Sequence, residues 1–218
     1  MENNDPLINE ISDTVTTHKE IFVQKQNDLT QLARRLGTSE VGIIDASQVP
    51  VEDLLANVCR EIRCEAYGLS PSCPPHVSGP SGFRELIRKL RYGVVVRIDI
   101  PSSVMFSNER REVMGLLHEI VASVEREAVR MGYTESKAFA GGSCKKIFCR
   151  EHAECQVLSK QGECRNPQSA RPSMSGFGIN VLTLLKNAGI PADKSLTPAQ
   201  TGYHGESMSW VAGLVMVG

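Results

Sequence analysis

The sequence predicts an α/β protein of the mixed α+β kind: a small mixed sheet flanked by helices, with two cysteine-rich loops at one rim. Three observations predict it. Stretches of helical periodicity, 21–36 and 113–124, alternate with short β-branched runs such as 92–100 (YGVVVRIDI). Glycine and proline punctuate the joints between them. All seven cysteines fall in two short segments, 59–73 and 144–164, the first ahead of the main strand and the second directly after a strand.

Taken in order, Ile21, Leu29, Leu32, Ala33 and Leu36 recur at helical spacing, and Gly37 is a natural helix stop. Residues 1–37 therefore read as a helical segment packed on a single domain formed by 38–218. A short strand (EVGIID, 40–45) and a brief helix over 51–58 lead to the first cysteine. Ser81 is placed to cap a helix running to Arg91, ahead of the strand 92–100 that Pro101 ends. Ser107 is placed to cap a long helix to about Met131, with Val113, Leu116, Leu117, Ile120, Val121 and Val124 on one side. A strand over 135–140 runs into Gly141-Gly142 and the second cysteine segment. Pro172 suits the first turn of a last helix closed by Gly189, residues 194–209 read as irregular, and Trp210 to Val217 as a final strand.

Composition sets the function classes aside one by one. A chain of 218 residues, 41% hydrophobic and 22% charged, has enough for one substantial core. The net charge of −1 lacks the basic excess of a nucleic-acid binder. Met1 to Pro6 shows no signal-peptide pattern, and the apolar run from Trp210 to Gly218 is too short to span a bilayer. A cytoplasmic protein with neither nucleic-acid nor membrane partner is the expectation, and in that compartment thiols stay reduced. Seven cysteines, an odd number, also disfavour a complete disulfide framework. No Walker loop, GxGxxG or HExxH occurs.

Metal ligation is the remaining reason for such clumping. The first segment is Cys59-x4-Cys64-x8-Cys73-Pro-Pro, and the second is Cys144-x4-Cys149-x5-Cys155-x8-Cys164. Structural zinc sites usually use a tight Cys-x2-Cys knuckle, which is missing, whereas wider loops can wrap an iron–sulfur cluster and Cys-Pro is how ferredoxin-type motifs end. The expected cofactor is one or two 4Fe–4S clusters, with zinc as the alternative. Two four-cysteine clusters would need eight thiolates. Seven divide most simply into a closed set (Cys144, Cys149, Cys155, Cys164) and an open set (Cys59, Cys64, Cys73) with one iron free for a small anionic substrate. Alternatively, His76 or a carboxylate such as Glu65 completes the second set, or only one cluster binds. Arg63, Arg165 and Arg171, with His76, are the candidate anion-binding residues because they adjoin the cysteines in sequence. Arg84, Arg88, Lys89 and Arg91 read as the solvated face of a helix, and His152 as an exposed residue between cysteines.

These residues resemble a family of predicted metal-binding proteins of anaerobic bacteria and archaea. The likeness rests on Cys59-Arg-x3-Cys64-x2-Tyr67-Gly68-x4-Cys73-Pro-Pro-His76 and on Gly141-Gly-Ser-Cys144-Lys with Cys149, Cys155 and Cys164-Arg165-x-Pro167. Ala170-Arg-Pro-Ser-Met174 and Gly178-Ile-Asn-Val181 complete it, over a stretch from about Leu32 to the C-terminus. The resemblance implies a metal, of iron–sulfur type, and an anaerobic setting; it implies no particular reaction. The leading expectation is thus a redox protein, an oxidoreductase or a lyase-type enzyme if catalytic, acting on a small anionic substrate or with a redox partner protein. A non-catalytic electron-transfer or delivery module for a larger enzyme, and a zinc-stabilised scaffold, are the competing readings.

Overall fold

The structure is a computed structural model describing residues 6–192 and 207–218. Four strands, β1 (Glu40–Asp45), β2 (Tyr92–Pro101), β3 (Lys137–Phe139) and β4 (Met208–Val217), form one sheet in the order β1-β2-β4-β3. The architecture is α+β, as the sequence predicts. Every ladder is antiparallel, however, so the sheet itself is not of mixed sense. The reason is topological. β2 and β3 do run the same way and are joined by a crossover helix, but β4 fills the gap between them in the opposite sense.

Two helices cover one face of the sheet: α1 (Pro6–Arg35) and the crossover helix α5 (Arg110–Arg130). Leu29 and Ala33 of α1 share a core with Leu117, Ile120, Val121 and Val124 of α5 and with Val94, Val96 and Ile98 of β2. Ile21, assigned to this face by its spacing, is half-exposed, and Phe22 packs there instead, edge-on to Tyr92. On the other face, Val95, Phe139, Leu214 and Met216 pack under α3 (Gly79–Ile87) and α7 (Val181–Asn187) through Phe83, Leu184 and Leu185. Burial on both faces is why β2 reads as a nearly unbroken apolar run. At Gly213 of β4 a Cβ would lie 2.6 Å from Val121, so the missing side chain lets α5 settle closely on the sheet.

Several boundaries differ from the sequence expectation. α2 spans Asp53–Glu61 and takes Cys59 into its last turn. α3 begins at Gly79, with Pro80 in its first turn, and stops at Ile87 short of Arg91; Ser81 lies inside it. Ser107 does not cap α5. Its Oγ accepts from the Glu109 N–H at 3.1 Å, and a short helix α4 (Ser102–Met105) precedes it. Pro172 starts no helix: residues 174–177 make a single 3-10 turn, and α7 begins at Val181 after Asn180, whose Oδ1 accepts from the Thr183 N–H at 3.1 Å. Trp210 lies in β4 and packs against the second core. Most of the stretch read as irregular, with His204, lies outside the described residues.

The aromatic group Phe83, Phe139 and Phe177, with ring centroids 5.1–5.6 Å apart, anchors the second core. Phe83→Ala is expected to lower unfolding stability by roughly 3–5 kcal/mol. Leu54→Ala, at a site 82% exposed, should stay within about 0.5 kcal/mol of the parent. Urea titrations of both variants check the contrast.

Candidate metal centre

The first cysteine segment folds as a compact loop hung from α2. Cys64 N–H closes on the Cys59 carbonyl at 2.9 Å, with Arg63 in the left-handed region (φ 52°) between them. Gly68 N–H bonds the Pro74 carbonyl at 2.8 Å, and the His76 ring Nε2 lies 3.3 Å from the Gly68 carbonyl as a brace across the loop. The start of α2 is fixed by a bidentate Arg84–Asp53 ion pair at 2.8–3.0 Å and by the Glu52 N–H donating to the Gly178 carbonyl at 2.8 Å. Arg84, expected on a solvated face, is thus an anchor. Gly178 has φ 71° and lies so near the Glu52 carbonyl that any Cβ would collide with it.

The second segment leaves β3 through Gly141-Gly142 and opens with α6 (Cys144–Phe148). Lys145 is buried, and its ammonium donates to the carbonyls of Cys149 (2.9 Å) and His152 (2.5 Å), holding the turn after α6. Asn166 donates twice to sulfur, from its backbone N–H to Cys164 (3.4 Å) and from its Nδ2 to Cys149 (3.3 Å).

The two loops meet. Ser173 N–H bonds the Ser72 carbonyl at 2.9 Å, and Lys146 pairs with Glu65 at 3.2 Å. Cys73 and Cys144 are the two buried thiols, and they lie near enough to influence each other. Burial pushes the Cys144 thiol up, while the Ser72 and Ser70 hydroxyls beside the sulfur oppose that shift. Burial, then the neighbouring Cys64 and Cys73 thiols, pushes Cys59 up as well.

Two spaces adjoin these thiols. Cys144, Cys149, Cys155 and Cys164 all line one narrow space, which Ser70 and Ser72 of the first loop also line. Cys59, Cys64 and Cys73 all line a separate open cleft of about 850 Å³ between α2, α6 and the start of α5. Among the described residues, no three His, Cys, Asp or Glu side chains converge tightly enough for a single metal ion. The cations named from sequence fall elsewhere. Arg63 and His76 are exposed and do not line the cleft, while Arg165 lines the four-thiol space and reaches toward the Glu154 carbonyl. Arg171 is bound to Glu125 at 2.6 Å in a largely buried pair. The cations that do line the cleft are Arg110, Arg111, Lys146 and Arg150. The first two come from a segment far from any cysteine, so adjacency in sequence missed them.

His118 is a second residue the sequence reading did not single out. Fully buried on α5, its Nδ1 accepts from the Arg171 N–H (3.1 Å) and its Nε2–H donates to the Gly141 carbonyl (3.1 Å), which fixes the tautomer. One imidazole thereby ties together the entry and the exit of the second cysteine loop. A buried polar residue on the core side of an otherwise apolar helix stripe was the available signal.

A four-stranded antiparallel sheet carrying seven free thiols in two adjoining loops defines a cysteine-rich α+β protein. The chain belongs to the family described as "Predicted metal-binding protein (DUF2284)", whose model matches residues 42–216. No curated protein and no solved structure matches the chain. No helix among the described residues is long and apolar enough to cross a membrane.

Burial pushes the His118 imidazole down to about 4. The unfolded chain takes up this proton below about pH 6.5 and the folded one only near pH 4. Stability is therefore full above pH 6.5 and falls as pH drops toward 4, by up to about 3 kcal/mol from this group. Urea unfolding between pH 4 and 7 should show a shallower pH slope in His118→Gln than in the parent. Equal slopes would remove His118 from the account.

Proposed function

We propose that this chain is an iron–sulfur redox protein with two four-iron clusters, one held by Cys144, Cys149, Cys155 and Cys164 and the other by Cys59, Cys64 and Cys73. The observation that carries the reading is the division of the thiols: four around a narrow space and three on the wall of a wider, more open cleft. Bound there, such clusters supply one-electron chemistry, and three thiolates leave one iron position for an exogenous ligand. The cleft side is the place for a small anionic substrate. The narrow side suits electron relay.

The residues present fit clusters better than single ions. A tetrahedral zinc with sulfur ligands at about 2.3 Å draws its thiolates to within about 3.8 Å of one another. No three such side chains among the described residues converge in that way. A cluster spreads its metal atoms over a larger body, so its ligands stand further apart. Hydrogen-bond donors are also in place. Asn166 points two N–H groups at sulfur, and the buried Ser143 hydroxyl, on the cleft, completes no hydrogen bond. Donors aimed at cluster sulfur raise its reduction potential.

A non-catalytic electron-transfer module is the second reading. It draws on the exposed apolar side chains Leu54, Ile62 and Phe106, in or next to the cleft walls, as contacts for a partner protein. A substrate-dependent change in the electron paramagnetic resonance signal of the three-cysteine cluster separates the two, since a pure relay shows none.

Protein prepared without oxygen should carry about eight iron and eight sulfide per chain. Cys73→Ala and Cys164→Ala should each retain about half of that iron. Colourless protein containing zinc alone would sink the proposal, and loss of all iron from either variant would reduce two clusters to one.

A further inference from the structure

The cleft in front of the three cysteines has two unlike walls. One is apolar. Leu55, Val58, Cys59 and Ile62 recur at helical spacing on α2 and in the residue after it, and Ile62 is 70% exposed to the cleft and solvent. The other is cationic. Arg110, Arg111, Lys146 and Arg150 line it against a single carboxylate, Glu65. Lys146 is paired with that carboxylate, whereas Arg110, Arg111 and Arg150 make no ion pair among the described residues.

Two of these arginines sit where local energetics disfavours them. Arg110 and Arg111 open α5, at the positive end of its dipole, where acidic residues are the stabilising choice; Glu109 and Glu112 flank them but form no ion pair with them. No carboxylate among the described residues pairs with them. A volume of about 850 Å³ lies within the range of small-molecule sites, roughly 300–1,000 Å³, and is far larger than a bare oxyanion needs.

We infer that this cleft binds an amphipathic oxyanion, a carboxylate or phosphate ester with an apolar body, its head group on Arg110, Arg111 and Arg150 and its body along the α2 wall. The inference rests on the proposed function in that the ligand would lie against the three-cysteine side of the cleft. It deepens that proposal by naming the substrate class. The apolar wall selects against small inorganic anions, and the arginines select against neutral molecules of the same shape. Affinity falls as salt rises, because the head-group contacts are at the cleft rim.

Isothermal titration on the full chain, with and without bound metal, tests this with four probes: octanoate, octyl phosphate, octanamide and acetate. Octanoate or octyl phosphate should bind, the tighter of the two naming the head group, while octanamide and acetate bind at least about tenfold more weakly. Arg111→Gln and Arg150→Gln should each weaken the anion by about tenfold, and Ile62→Asp should weaken it too. Thermal melting curves matching the parent show that each variant is folded. Equal binding of acetate, equal binding of octanamide, or anion affinity unchanged in both arginine variants would overturn the inference. Iron and sulfide assays on the same preparations keep the two proposals apart. Clusters present with no anion binding defeats the ligand assignment alone, and anion binding without iron defeats the cluster assignment alone.

Discussion

Residues 172–174 are hydrogen-bonded on two sides at once. Ala140 N–H donates to the Pro172 carbonyl and Met174 N–H donates back to the Ala140 carbonyl, both at 3.0 Å, extending the end of β3. From the other side of the same short strap, Ser173 N–H reaches the Ser72 carbonyl at 2.9 Å. Both cysteine loops are thereby registered to the sheet edge and to each other, which is what brings Cys73 and Cys144 together. Each bond contributes only about 1 kcal/mol net, but a buried amide left unpaired costs more, so the register resists slipping. The strap uses backbone alone, and proline is tolerated in it because only its carbonyl is required.

α5 supplies the second restraint, through side chains. His118 holds both ends of the second loop, and Glu125 accepts from the Ala138 N–H at 2.6 Å and from Arg171 at 2.6–2.7 Å. Removing one partner of a largely buried pair such as Arg171–Glu125 strands the other charge, at a cost of about 3–5 kcal/mol. Arg171 is thus committed to architecture. Arg110, Arg111 and Arg150 on the cleft wall make no ion pair among the described residues, which separates them from the cations that hold the fold.

How far the sequence reached follows from the range of the forces involved. β2 and α5 were legible because each carries its own local pattern over many residues, a β-branched apolar run in one and a helical stripe in the other. The uniform antiparallel sense of the sheet and the start of α7 were not, and both trace to partners distant in sequence. β4 inserts between strands far earlier in the chain, and Pro172 is held by Ala140 before any helix can begin. Asn180, with Thr183 three residues on, was a readable cap signal that the proline obscured. The cysteines were legible as two groups, since sequence clumping is itself local. Of the cleft's cations, Lys146 and Arg150 were legible as basic neighbours of the second cysteine segment, whereas Arg110 and Arg111 reach it only through the placement of α5 on the sheet.

The two thiol sets also differ in what holds them. The set of four comes from one continuous segment, whose first helix buries both Cys144 and Lys145. The set of three begins in α2, a helix with no buried residue, fixed at its N-terminal end by Asp53, Glu52 and the tight approach of Gly178. Helices with few buried contacts lie at the low end of local stability, so opening in this region starts at α2 rather than α6. The fold therefore places the less buried helix beside the open set of cysteines and the more buried one at the start of the closed set.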